Sequence, residues 1–70
     1  MGLLKVNGKE QIFPDGKMPA TIAELLQQLG VDSTTIVAEL DGQIIERKNF
    51  SITPLRAGHN IELVRFVPGG

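Results

Sequence analysis

Thr21-Ile22-Ala23-Glu24-Leu25-Leu26-Gln27-Gln28-Leu29-Gly30 is the stretch on which the fold turns. Thr21 and Glu24 have capping-box spacing, in which each side chain satisfies a backbone donor at the other position. Ile22, Leu25, Leu26 and Leu29 fall at i, i+3, i+4 and i+7, which gives one apolar stripe on a short amphipathic helix over 21–29. Gly30 stands where a residue in the left-handed conformation ends such a helix. A helix this short cannot persist alone, and its stripe must be covered by another element.

The flanking residues supply strands to cover it. Upstream, Leu3-Leu4-Lys5-Val6 and Lys9-Glu10-Gln11-Ile12-Phe13 bracket Asn7-Gly8, the pair preferred where both central residues of a hairpin turn need positive φ. Pro14-Asp15-Gly16 then ends the second strand. Downstream, 31–35 is a polar connection, and Ile36-Val37-Ala38-Glu39-Leu40 reads as a strand closed by Asp41-Gly42. Gln43-Ile44-Ile45 returns as a short strand, 46–53 has no clear period, 54–58 is loop, and 60–66 is the last strand. The order is ββαββ plus a final strand that must insert beside an earlier one. Helix laid across one face of a mixed sheet, with hairpins at each end, is an α+β, β-grasp arrangement. The expected organisation is one β-grasp domain over 1–66 and a flexible di-glycine tail over 67–70.

Composition narrows the chemistry. The chain has 70 residues, no cysteine and a formal charge of -1. A domain of this size buries only about 60% of its unfolded surface, so its core is thin. Without thiols, a zinc knuckle, a redox CxxC site and a cysteine nucleophile are excluded. Seven Lys/Arg against eight Asp/Glu, evenly spread, leave no basic block for phosphates, and three Phe are the only aromatics available for stacking bases. The expectation is therefore no nucleic-acid partner. No apolar run approaches the ~20 residues of a membrane span, and no signal-peptide segment opens the chain. We expect a soluble cytoplasmic protein with no membrane partner.

Enzyme templates find little to hold. His59 is the single histidine, in a Gly-His-Asn turn, where a lone imidazole is ordinarily a solvated loop residue. With no HxxxH or HExxH, no metal site is expected. Asp41, Glu39 and Glu46 flank a hairpin, where charge ordinarily solvates a turn, and a core this thin can hardly line a catalytic cleft.

The terminus is different. Gly69-Gly70 follows an apolar strand and Pro68. One reading is a frayed end or a truncation boundary. The other makes the α-carboxylate of Gly70 the reactive group, on a tail whose missing side chains let it enter a narrow channel. Residues 67–70 fully extended reach about 13 Å, and Pro68 cannot donate to a ladder, so the tail leaves the sheet there. In the last strand Ile61, Leu63 and Arg65 share one face and Glu62, Val64 and Phe66 the other. With Ile61 and Leu63 under the helix, Val64 and Phe66 form an exposed docking patch beside the tail, with Arg65 and Arg47 at its rim. A bulge that buries Phe66 is the alternative.

Residues 21–26, the hairpin over 38–45, Glu46-Arg47-Lys48-Asn49-Phe50, the run from Leu55 to Leu63 and the final Gly69-Gly70 together resemble the bacterial sulfur carrier protein of thiamine biosynthesis, a ubiquitin-like β-grasp family. The resemblance covers nearly the whole chain. It departs at His59, where the family commonly has Asp, and at Pro68, where a small residue is common. The resemblance implies that the Gly70 carboxylate is adenylated by an E1-like adenylyltransferase with Mg-ATP. A persulfide from a cysteine desulfurase system then converts it to a thiocarboxylate, and its sulfur passes to thiazole synthase. It implies a protein co-substrate rather than an enzyme, with no cofactor of its own, ATP and Mg belonging to the activating enzyme. Gly69 and Pro68 serve tail access, Val64 and Phe66 docking, and Phe50 the core. Pro68 is similar to the Pro-rich tails of the small subunit of molybdopterin synthase, which stays an alternative. So do another thiocarboxylate carrier and a ubiquitin-like interaction module with an incidental di-glycine.

Overall fold

A computed structural model describes residues 2–67. The first hairpin joins β1 (Gly2–Val6) to β2 (Lys9–Phe13). Asn7 at φ 52° and Gly8 at φ 81° supply the two positive dihedrals that its two-residue turn needs. β3 (Ile36–Leu40) and β4 (Gln43–Ile45) pair in the same way across Asp41 at φ 49° and Gly42 at φ 85°. β5 (Asn60–Arg65) inserts between them, parallel to β1 and antiparallel to β3, so the sheet runs β2-β1-β5-β3-β4. Asn7 Oδ1 accepts from the Leu63 amide at 2.7 Å, so the turn of the first hairpin also holds the central strand. β5 ends one residue earlier than its apolar pattern suggests, though the Phe66 amide still donates to the Thr35 carbonyl at 2.9 Å.

α1 (Ile22–Leu29) crosses one face of this sheet. Thr21 Oγ1 accepts from the Glu24 amide at 3.2 Å, but the Glu24 carboxylate makes no return bond among the described residues. Only half of the expected capping box forms. Two other donors of the first turn are satisfied by backbone, Ile22 N–H by the Thr53 carbonyl and Ala23 N–H by that of Phe50. At the far end Gly30 adopts φ 71°, its amide bonds Gln27 and that of Val31 bonds Leu26, a Schellman closure.

The core lies between helix and sheet. Ile22, Leu25 and Leu26 pack with Leu4, Val6, Ile36, Ala38 and Ile61, and Phe50 and Leu55 close the side. Leu29, the fourth residue of the stripe, is exposed, and lines a small cleft at the helix end with Val31, Leu63 and Arg65. Residues 46–53, without a sequence period, form a 3₁₀ turn at Arg47–Asn49 that delivers Phe50 into the core. Two polar residues differ from expectation. His59 is not a solvated loop residue: its Nδ1 accepts from the Arg56 amide at 3.0 Å, and its Nε2 lies 3.8 Å from Asp41 Oδ2. Asp41 Oδ1 in turn accepts from the Asn60 amide at 2.8 Å, so the turn after β3 is fastened to the start of β5.

The connection after the helix is held by Asp32, whose Oδ1 accepts from the Thr34 amide and hydroxyl at 2.9 and 2.8 Å. Those bonds, with the Arg47 guanidinium, hold its carboxyl below its ordinary value of 3.8. A lowered folded value means that the stabilisation is complete above 3.8 and is lost as the pH falls through the folded value. Asp32→Asn keeps an acceptor oxygen but cannot titrate. In urea melts at descending pH, the midpoint of the wild-type chain will therefore drop more steeply below 3.8 than that of Asp32→Asn. Parallel curves would remove Asp32 from the acid transition.

Candidate functional site

One face of the sheet is covered by α1, and the other is open. The unbroken β3–β5 register, from Ile36 opposite Arg65 to Leu40 opposite Ile61, leaves no bulge in the last strand. Successive side chains therefore alternate strictly, and Val64 and Phe66 point away from the core, 55% and 42% exposed. Val37 stands opposite Val64, and Ile44 stands opposite Glu39 on the neighbouring strand, which brings both apolar side chains to the same open face. Val37, Ile44, Phe66 and Arg47 line one shallow depression of about 380 Å³.

The structure thus brings Val64, Phe66 and Arg47 to one side of the molecule. Arg65 is not with them: it stands opposite Ile36 and lines the cleft at the helix end, on the other face of β5. Val37 and Ile44 were missed in the sequence, though the alternation of Ile36, Ala38 and Leu40 in the core already turns Val37 outward. Val67, the last described residue, is exposed, and Pro68, Gly69 and Gly70 lie outside the described residues. Among the described residues no group of three or more His, Cys, Asp or Glu is placed to hold a metal ion, and no helix is long and apolar enough to cross a membrane.

Val64 and Phe66 of this exposed apolar patch lie at the end of β5, shortly before the Gly69-Gly70 sequence. The ThiS family model matches residues 4–70, which takes in the helix, the di-glycine and all of the described sheet but the first two residues of β1. The chain belongs to the ThiS family. The crystal structure of a thiamine biosynthesis protein, ThiS, from Geobacter metallireducens superposes with a TM-score of 0.82 at 35% identity, over 97% of this chain and 99% of that one. The solution structure of a thiamine biosynthesis protein from the same organism gives 0.76 at 35% identity, over 97% and 87%. This ThiS-family chain therefore has the ubiquitin-like β-grasp fold. A thiazole synthase of Paramagnetospirillum magneticum is 31% identical over 67 residues, which are 96% of this chain and 20% of that protein. The chain thus spans about a fifth of that relative's length. Family membership supports a sulfur-carrier role, and the relatives' names connect ThiS-like chains with thiamine and its thiazole.

Proposed function

We propose that this chain is the sulfur carrier for thiazole formation in thiamine biosynthesis, a cytoplasmic co-substrate whose working atom is the carboxyl carbon of Gly70. The observation that carries this reading is the family match running through residue 70, so that the di-glycine belongs to the matched unit. A carboxylate is a poor electrophile. An E1-like adenylyltransferase, with its own ATP and Mg, turns one of its oxygens into part of a mixed anhydride and releases pyrophosphate. The terminal sulfur of a persulfide, supplied through a cysteine desulfurase system, then displaces AMP. Cleavage of its S–S bond by a thiol leaves the sulfur on Gly70 as a thiocarboxylate. Nothing else in the chain can carry it, because there is no cysteine. Thiazole synthase is the acceptor. The relative of that name, which includes a ThiS-like region in one chain, supports this pairing, since linkage raises effective concentration.

Each neighbouring residue has a part in this reading. Gly69 and Pro68 give a narrow approach to the activating site. Val64, Phe66 and Arg47 hold the domain on its partners while the tail is engaged, and Arg65, on the opposite face, is at most a margin contact of a partner that wraps the tail exit. The test is the intact mass of the chain after incubation with Mg-ATP, a sulfide source and the activating enzyme of the same source. The expected product is heavier by the difference between one sulfur and one oxygen. An unchanged mass with every E1-like enzyme of that source would leave a binding module with an incidental di-glycine.

A further inference from the structure

The ladder between β3 and β5 closes differently at its two ends. Antiparallel pairs alternate between hydrogen-bonded and non-bonded positions. The Asp41 amide donates to the Asn60 carbonyl at 2.8 Å and the Phe66 amide to the Thr35 carbonyl at 2.9 Å, so each end has a bonded pair just outside β3. At the first, the Asn60 amide turns to Asp41 Oδ1 at 2.8 Å, which completes the pair. At the second, the Thr35 amide is taken by the Asp32 carbonyl at 3.1 Å, within the 3₁₀ turn Ser33–Thr35, and cannot serve Phe66 in return. The Phe66 amide is therefore the last hydrogen bond of the ladder among the described residues. Beyond it the chain leaves the sheet through Val67, which is 94% exposed.

The Thr35 carbonyl is held in place by Asp32. Asp32 Oδ1 takes the Thr34 amide and hydroxyl, and its backbone carbonyl takes the Thr35 hydroxyl at 2.9 Å as well as the amide. None of 33–35 is buried, so the core does not call for this fastening. The next bonded pair inward is Val37 with Val64. If the Phe66 bond opens, the free chain ahead of the terminal carboxylate starts at Arg65 instead of Val67, and its full extension grows from about 13 Å to about 20 Å. A longer tether lowers the effective concentration of the group at its end.

We propose that Asp32 is a positioning residue for the loading of Gly70: the turn it caps latches Phe66, and so fixes both where the tail begins and the place of Phe66 in the exposed patch. The proposal deepens the carrier reading above and rests on it. Asp32 acts through the Thr35 carbonyl, not on the reacting carboxyl group.

The test compares wild type with Asp32→Ala and Asp32→Asn at neutral pH in two measurements. In hydrogen exchange of the free chain, the Phe66 amide of Asp32→Ala will exchange about two- to tenfold faster than in wild type, the range for loss of one hydrogen bond. The Val64 amide will keep its wild-type rate, because opening is confined to the end of the ladder. With the activating enzyme in saturating excess, Mg-ATP and a sulfide source, Asp32→Ala will gain sulfur more slowly by a similar factor, read as intact mass against time. Asp32→Asn keeps the acceptor oxygen and will match wild type in both measurements. Faster exchange at Phe66 with unchanged loading would make the turn structural only and overturn the proposal. An unchanged Phe66 amide overturns it too, as does an equal acceleration at Val64, which would assign the effect to the whole sheet. Failure of the carrier reading shows differently, as no sulfur mass on the wild-type chain, and it removes the loading that Asp32 would position.

Discussion

Ile61→Ala will remove a large share of the stability of the domain. Ile61 is fully buried in β5, the strand with β1 on one side and β3 on the other, and its carbonyl accepts from the Asn7 amide at 2.9 Å. Truncating a buried Ile to Ala costs about 2–5 kcal/mol through lost burial and the cavity left behind. At about 0.05–0.15 kcal/mol per residue, a chain of this length has about 3.5–10 kcal/mol in all. The core is one layer of side chains between helix and sheet, with no second layer to collapse into the gap. Val64→Ala, three residues along the same strand but on the open face, will cost less than about 1 kcal/mol. Urea unfolding of the two variants makes the comparison directly. Equal midpoints would mean that the core does not rest on β5.

Local chemistry explains why so much of this fold is legible in the residues. Asn7-Gly8 and Asp41-Gly42 require positive φ and therefore announce their hairpins, and Thr21 and Gly30 bracket α1 by capping requirements that few other residue types meet. That β5 lies beside an earlier strand is legible, but its central place between β1 and β3 is not, since an edge position satisfies the same pattern. What escapes such reading is made by contacts between distant residues. The Phe50 and Thr53 carbonyls that accept from the first turn of the helix come from a segment with no sequence period of its own. His59 is fastened because a turn brings it to Arg56 and Asp41, and no local pattern marks that meeting. The site shows the same division. Alternation along 60–66 turns Val64 and Phe66 outward, but only the β3–β5 register reveals that Val37 joins them. The same alternation sets Arg65 on the face of Ile61 and Leu63, where it lines the cleft at the helix end and not the rim of the patch.

Deleting Gly70 will leave the fold and the docking face as they are and abolish sulfur loading. β5 ends at Arg65 and the buried core of the described residues at Ile61, so the unfolding midpoint will match wild type. The carboxylate, however, is drawn back by one residue, about 3.3 Å of extended chain. In-line attack on ATP tolerates far less, since a misplacement of about 1 Å at a reacting centre can cost about 100-fold in rate. Gly69→Val probes the approach instead of the reach: a branched Cβ narrows the tail where the channel must close round it, and it stiffens the backbone before the carboxyl. Its loading will be slower than wild type by an amount set by the channel, while the Gly70 deletion will show none at all by intact mass. Both variants will still bind the activating enzyme through the sheet face within a few-fold of wild type. A carrier separates docking from loading, because its address is on the sheet and its cargo is on Gly70. A Gly70-deleted chain that still gains sulfur would move the cargo elsewhere, and with no thiol in the sequence there is no side chain of that chemistry to receive it.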